Sequence, residues 1–290
     1  MLKTHPHVEQ ALAPIKEALD AGKHLALMLD YDGTLTPIVS NPKEAQLDME
    51  GLQRLQALSK RPEISIALIS GRSVEQLQDY MDWIFPAPIL LMGLHGGQAW
   101  EAQHGKWLQE PVVANIDMKQ HFAEKVEAAL NELGKGTFPE GIHIEDKGYT
   151  FALHYRNVGS ELIGETAHDL MKDLFNNDDE MRISFRLQEG HKVIEIVPSH
   201  FNKGAGVLFC LEYWKYRGKK ENIFPLFAGD DKTDEPGLQA AIDGGGVAIA
   251  IGVDPQDMQG INGDDRAKLY TLSNPNDMHQ LLQGILDHLN

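Results

Sequence analysis

A chain of 290 residues, 42% hydrophobic and 24% charged, has room for one large core or two modest ones and the composition of an ordinary globular protein. Its formal net charge of -17 argues against nucleic acid or an anionic membrane as the main partner, and any anionic ligand would need a local cation. A single cysteine, Cys210, excludes an internal disulfide, and no signal segment or membrane-length apolar run is evident, so the cytoplasm is the expected compartment.

Residues 8–21 have the spacing of a short amphipathic helix. Residues 24–36 then read His-Leu-Ala-Leu-Met-Leu-Asp-Tyr-Asp-Gly-Thr-Leu-Thr, five apolar residues running into Asp30 and Asp32. The run is short and ends in turn chemistry, which predicts a fully buried strand stopping at a loop. Open α/β sheets place their ligands at such carboxyl ends. Pro37 and Asn41-Pro42 mark a loop before a helix over 48–60. Ile64–Ile69 reads as a second buried strand, ending in Ser70-Gly71-Arg72 before a helix over 73–81. A third strand, Ile89–Met92, ends in Gly93-Leu94-His95-Gly96-Gly97. Continuous apolar strands alternating with helices predict a parallel sheet.

The rhythm then changes. A hairpin over 98–110 is followed by a helix over 116–133 and paired strands 142–147 and 149–156. A second helix covers 160–175, and an acidic turn at 176–180 leads to a hairpin of 183–187 and 192–197 that turns at Glu189-Gly190. This is a compact α+β unit with antiparallel strands. The first rhythm returns with a helix from Asn202-Lys203-Gly204 and a strand 223–227 ending in Gly229-Asp230-Asp231. A helix to Asp243, strands at 247–251 and 269–272, and a helix over 276–289 follow. The sheet domain is therefore discontinuous, 1–110 and 199–290, with an inserted unit, 111–198, as a candidate lid.

Four signals fall at strand ends or helix starts: Asp30/Asp32, Ser70-Gly71-Arg72, Lys203 and Asp230/Asp231/Asp234. The carboxylates form a hard oxygen-donor set suited to Mg²⁺. No cysteine cluster exists and no histidine pair has zinc spacing, which disfavours zinc. Ser70, the amides of the Gly71-Arg72 turn and the Lys203 ammonium are phosphate-binding groups when set near helix N-termini. A carboxylate nucleophile beside Mg²⁺ and a phosphate cradle specify phosphoryl transfer through an aspartyl-phosphate. The metal also answers the charge problem.

In order, Asp30-Tyr-Asp32-Gly33-Thr34, Ser70, Lys203 and Gly229-Asp230-Asp231 resemble the four motifs of the haloacid-dehalogenase-like (HAD) phosphatases. The chain resembles most the trehalose-6-phosphate phosphatase branch. That likeness is carried by residues 30–38, 69–72, 95–96, 145–156, 192–198, 202–204 and 229–235. It implies a HAD-like, Rossmann-type parallel-sheet core with an inserted α+β cap. It also implies Asp30 as nucleophile and Asp32 as general acid and then base. Mg²⁺ would be held by Asp30, the backbone carbonyl of Asp32 and Asp230, with Asp231 and Asp234 behind them or orienting Lys203. His95, Glu145, Lys147 and Glu195 would meet the sugar hydroxyls; His154 and Arg156 read as structural. The chain departs from relatives at Leu94 and Gln98, where the family often has acidic residues facing the sugar.

The expected reaction is Mg²⁺-dependent hydrolysis of trehalose 6-phosphate to trehalose and phosphate. Asp30 and Asp32, as residues i and i+2 of an extended chain, would project to one side. Asp32 has to carry a proton when the leaving oxygen needs one, while Asp30 stays ionised. The partner is a small sugar phosphate, without nucleic acid or membrane, paired functionally with a trehalose-phosphate synthase. Glucosylglycerol phosphate and sucrose phosphate stay open as substrates, as do a phosphomutase and a non-catalytic sugar-phosphate sensor.

Overall fold

The computed structural model describes residues 5–41, 44–81, 87–109 and 116–290. Pro42 and the expected boundary at 110/111 lie outside them. The chain runs α1 (Pro6–Asp20), β1 (His24–Leu29), α2 (Met49–Ser59), β2 (Ile64–Ile69), α3 (Val74–Met81), β3 (Ile89–Gly93), β4 (Gln98–Glu101) and β5 (Lys106–Gln109). It continues through α4 (Ile116–Leu133), β6 (His143–Asp146), β7 (Phe151–His154), α5 (Glu161–Asn176), α6 (Asp179–Ser184), β8 (Phe185–Gly190) and β9 (Val193–Pro198). Then come α7 (Lys203–Tyr216), β10 (Ile223–Gly229), α8 (Glu235–Asp243), β11 (Val247–Ile251), β12 (Leu269–Leu272) and α9 (Pro275–His288). None of the helices described is long and apolar enough to cross a membrane.

The chain divides into two compact units, one of Met1–Glu110 with Asn202–Asn290 and one of Pro111–Phe201. The return to the first unit falls after Phe201, three residues beyond the expected 198/199. Residues 199–201 stay with the second unit because Ser199 N–H donates to Ser184 O, Phe201 N–H to Pro198 O, and the Arg186 guanidinium to Phe201 O.

In the first unit the strand order is β12-β11-β10-β1-β2-β3-β4-β5. The six strands from β12 to β3 are parallel, and β4 and β5 add antiparallel at one edge. Both faces of the sheet are covered, so β1 is buried at every residue. Leu25, Leu27 and Leu29 join the core under α1, α2, α3 and α9, while Ala26 and Met28 join the core with α7 and α8. The latter face is built of small strand residues, among them Ala67, Ala99, Ala248 and Ala250. Two glycines let α7 sit close: a Cβ at Gly206 would lie 3.2 Å from Ile69 Cγ2, and one at Gly204 2.7 Å from Pro236 O. The first residue of that closely held helix is Lys203.

In the second unit the order is β6-β7-β9-β8, antiparallel throughout. Phe151, Leu153, Ile194 and Ile196 face a core shared with Phe122, Val126, Leu130, Met171 and Phe175 of α4 and α5. Period-two alternation sends Glu145, Ala152, His154 and Glu195 to the opposite face.

Two local expectations are corrected. Residues 179–184, expected to end a turn and begin a strand, form α6, because the Asp178 side chain accepts Met181 N–H while Asp179 and Glu180 suit the amino end of a helix. The β8–β9 hairpin turns at His191-Lys192 rather than Glu189-Gly190. Gly190 is still paired with Val193, and Lys192 takes the left-handed conformation with φ 59°. Replacing Asp178 by alanine is expected to cost about 1 kcal/mol, since it uncaps α6 and removes the partner of Lys125. Equilibrium urea denaturation measures this, and an unchanged midpoint would refute the capping role.

Candidate active site

Strand β1 lies at the point where the sheet's connections diverge, towards β2 on one side and β10 and β11 on the other. Clefts form at the carboxyl ends of strands at such a point. Asp30 follows β1 directly, tied by its N–H to Ala228 O at 2.9 Å, and is 4% exposed. Residues 31–36 then fold into a tight loop. The N–H groups of Leu35 and Thr36 both donate to Tyr31 O, Gly33 N–H donates to Thr36 O, and Gly33 has φ 78°. Glycine is required there twice over, because a Cβ would lie 2.0 Å from Asp230 Oδ2.

Lys203 is 3% exposed and bridges two carboxylates, with Nζ 2.8 Å from Asp30 Oδ1 and 2.6 Å from Asp234 Oδ1. Burial opposes its charge, but Asp234, Asp30 and Asp231 outweigh burial and hold its pKa above the usual lysine value. Asp234 is fully buried, and its Oδ2 accepts the N–H groups of Asp230 and Asp231 at 3.0 and 3.1 Å. Asp234 is thus committed to Lys203 and to the turn. Asp231 accepts Thr233 N–H and Oγ1–H and closes a reciprocal cap with Asp234.

Ligand oxygens of Asp30, Asp230 and Asp234 lie within 4.8 Å of one another. With Asp234 occupied, Asp30 and Asp230 are the carboxylates with capacity to spare. Burial raises the pKa of Asp30 well above the carboxylate range, with Lys203 acting against it and Asp234 and Asp230 adding to it. Asp230 is pushed up to about 8 by burial, with Asp234 and Asp231 beside it. All-oxygen donors, surplus negative charge and the clearance left by Gly33 around Asp230 fit a small, hard divalent cation.

The Ser70-Gly71-Arg72 turn closes the other side. Ser70 is 1% exposed, and its Oγ accepts Arg72 N–H at 3.1 Å. His95 N–H donates to Ser70 O, and a Cβ on Gly71 would lie 2.6 Å from His95 Cε1. Leu94 and His95 both have left-handed backbones, φ 50° and 57°, a strained pair that sets the buried His95 against this turn. The Arg72 guanidinium grips Asp32 bidentately at 2.7 and 2.6 Å and donates to Tyr80 Oη at 3.1 Å. It also lies over the rings of Tyr31 and Tyr80. Asp30 and Asp32 lie beyond the end of β1 at Leu29 and take separate cation partners, Lys203 and Arg72.

Of the remaining predicted residues, Glu145, Lys147 and Glu195 come together within the second unit. Lys147 Nζ lies 3.1 Å from Glu195 Oε1 and 4.0 Å from Glu145 Oε2. His154 Nε2 is 3.0 Å from Glu145 Oε2, and Arg156 donates to His191 O. The departures from the family pattern are structural: Leu94 is buried, and Gln98 Oε1 accepts Val74 N–H at the start of α3. Sequence reasoning missed Tyr31 and Tyr80 as walls for Arg72. The only available signal was Tyr80 two turns beyond Arg72.

The trehalose-phosphatase family model matches residues 28–255, a stretch that contains every residue described in this site. A rice protein named probable trehalose-phosphate phosphatase 2 (Oryza sativa subsp. japonica) is 32% identical over 238 residues, covering 75% of this chain and 58% of the rice protein. The trehalose-6-phosphate phosphatase of Escherichia coli (strain K12) is 28% identical over 242 residues and 82% of each chain. The structure of the C-terminal domain of a C. albicans trehalose-6-phosphate phosphatase superposes with TM-score 0.74 at 22% identity, over 97% of this chain and 96% of that one, which establishes the shared fold.

The acidic cluster generates a sign-specific prediction. Asp230 has a folded pKa raised to about 8, against about 3.9 for a free aspartate, so the metal-free protein loses stability as pH rises through that window. A divalent cation that binds only the ionised, folded cluster should offset the loss. The rise in melting temperature on adding millimolar Mg²⁺ is expected to be larger at about pH 8 than at about pH 6, at about 2–4 °C per kcal/mol. Asp230→Asn should abolish the difference. An equal rise in that variant would disprove Asp230 as a ligand.

Proposed function

The chain belongs to the trehalose-phosphatase family, and from that premise we propose that it hydrolyses trehalose 6-phosphate to trehalose and phosphate through an aspartyl-phosphate on Asp30. The observation that supports this chemistry most is the buried Asp30–Lys203–Asp234 bridge beside Asp230. A carboxylate at a strand end, with the Lys203 ammonium on one oxygen and room beside it for a divalent cation whose charge would favour the ionised form, is a nucleophile set for in-line attack.

Mg²⁺ would be held by Asp30, Asp230 and the backbone carbonyl of Asp32, and when bound it would neutralise charge on the transferring phosphoryl group. Asp30 attacks phosphorus as the bond to the sugar oxygen breaks, and Asp32 gives that oxygen its proton. Asp32 then takes a proton from the water that attacks the aspartyl-phosphate, releasing phosphate and restoring Asp30. The Arg72 grip occupies both carboxylate oxygens of Asp32 and has to loosen for Asp32 to pass a proton. Ser70 and the amides of the Gly71-Arg72 turn cradle the phosphate with Lys203. His95, Glu145, Lys147 and Glu195 take the sugar hydroxyls. A glycosyl-transfer reaction upstream has to supply the phosphorylated disaccharide, which is the sense in which a synthase is the functional partner.

Phosphate release across a panel of sugar phosphates tests the substrate. Trehalose 6-phosphate is expected at the top, with activity in Mg²⁺ and none in EDTA. If sucrose phosphate or glucosylglycerol phosphate leads, the substrate assignment falls while the chemistry stands. For the nucleophile, Asp30→Asn is expected to fold, by circular dichroism, and to lose all measurable turnover. Near-wild-type phosphate release from it would sink the mechanism.

A further inference from the structure

The polar face of the second unit's sheet carries three side chains of metal-binding type, His143, Glu145 and His154, outside the carboxylate cluster. Residues His143 and Glu145 stand two apart on β6 and so share a face. His154 of β7 is directly opposite His143 in the antiparallel register. The two imidazoles stack, with centroids 5.8 Å apart and planes at 29°, and His154 Nε2 is 3.0 Å from Glu145 Oε2. Residues at i and i+2 of one strand plus one across the ladder make a three-point set on a single sheet face. Its composition, two imidazoles and one carboxylate, is the donor set of zinc sites that keep a fourth position open, and it suits borderline transition metals better than Mg²⁺.

We propose that His143, Glu145 and His154 form a binding site for a transition-metal dication of the Zn²⁺ class, distinct in its residues from the Asp30/Asp230 cluster. Two of the three are already together, because His154 Nε2 is 3.0 Å from Glu145 Oε2. The His143 ring is stacked rather than convergent, and its exposure leaves it free to turn towards the other two. Lys147 lies on the same face, 4.0 Å from Glu145 and 3.1 Å from Glu195, so its closer ion pair is with Glu195. His154 and Glu145 are about one-quarter exposed, so an ion and its water can enter from solvent. Capture of Glu145 by the metal also inhibits sugar-phosphate hydrolysis, a consequence that alone rests on Glu145 meeting the sugar.

Equilibrium dialysis of the full chain against Zn²⁺ in excess Mg²⁺ tests the site. One Zn²⁺ per chain should be retained, and His143→Ala and His154→Ala should each weaken it by on the order of tenfold or more. His104→Ala, which removes a surface histidine paired with Glu101, should change nothing. With Cu²⁺ as probe, paramagnetic resonance should report two coupled nitrogens in the wild type and one in His143→Ala. No retained Zn²⁺, or equal retention by His143→Ala, overturns the site. If dialysis gives the expected pattern while Zn²⁺ leaves phosphate release unchanged, the sugar role of Glu145 fails and the metal site stands.

Discussion

A lysine ammonium 3% exposed, held between two aspartates that are themselves buried, is the constraint on which the first unit turns. Removing such ions from water costs several kcal/mol each, and their attraction repays that only where geometry is tight and the remaining lone pairs are filled. The tightness is bought by glycine. Gly229 leaves room for Asp234, whose carboxyl carbon would be 2.2 Å from a Cβ there; Gly33 leaves room for Asp230; Gly204 lets α7 approach α8. Lys203 cannot neutralise Asp30, Asp230 and Asp234 alone. That surplus of carboxyl groups over cations suits the cluster to a divalent cation.

The Arg72–Asp32 pair is the counterpart on the other flank. One guanidinium is fixed by two carboxylate oxygens and a tyrosine hydroxyl and lies over two rings. Asp30 and Asp32 therefore sit two residues apart yet answer to different cations from different elements, one on α7 and one after β2. Proximity in sequence brings them to the same strand end, and separate partners let them behave differently.

The parallel sheet and its strand-end residues were legible because both rest on local signals. Strands buried on both faces are continuous apolar runs, and each run from 24, 64 and 89 ends where polar residues begin. What escaped was set by contacts remote in sequence. Asp234 was placed near Lys203 only through the family resemblance, since on residues alone it is one more acid near a helix start and its contact with Lys203 depends on packing between α7 and α8. The side chain of Arg72 was read from its turn, whereas its partner lies 40 residues earlier. Residues 179–184 were misread because an acidic cluster serves a turn and a helix cap equally well until Asp178 finds Met181.

The register of β1 against β10, His24 opposite Ile223, also has a bearing on biosynthesis. The strand that carries Asp30 leaves the ribosome roughly 200 residues before its neighbour, a wait of about 10–40 s at about 5–20 residues per second. Through that interval β1 can pair with β2 but offers its other edge unprotected, while the whole inserted unit is being made. Nascent chains of this architecture therefore depend on early burial by α1 and α2, or on a chaperone, to keep this buried strand from pairing with the wrong partner.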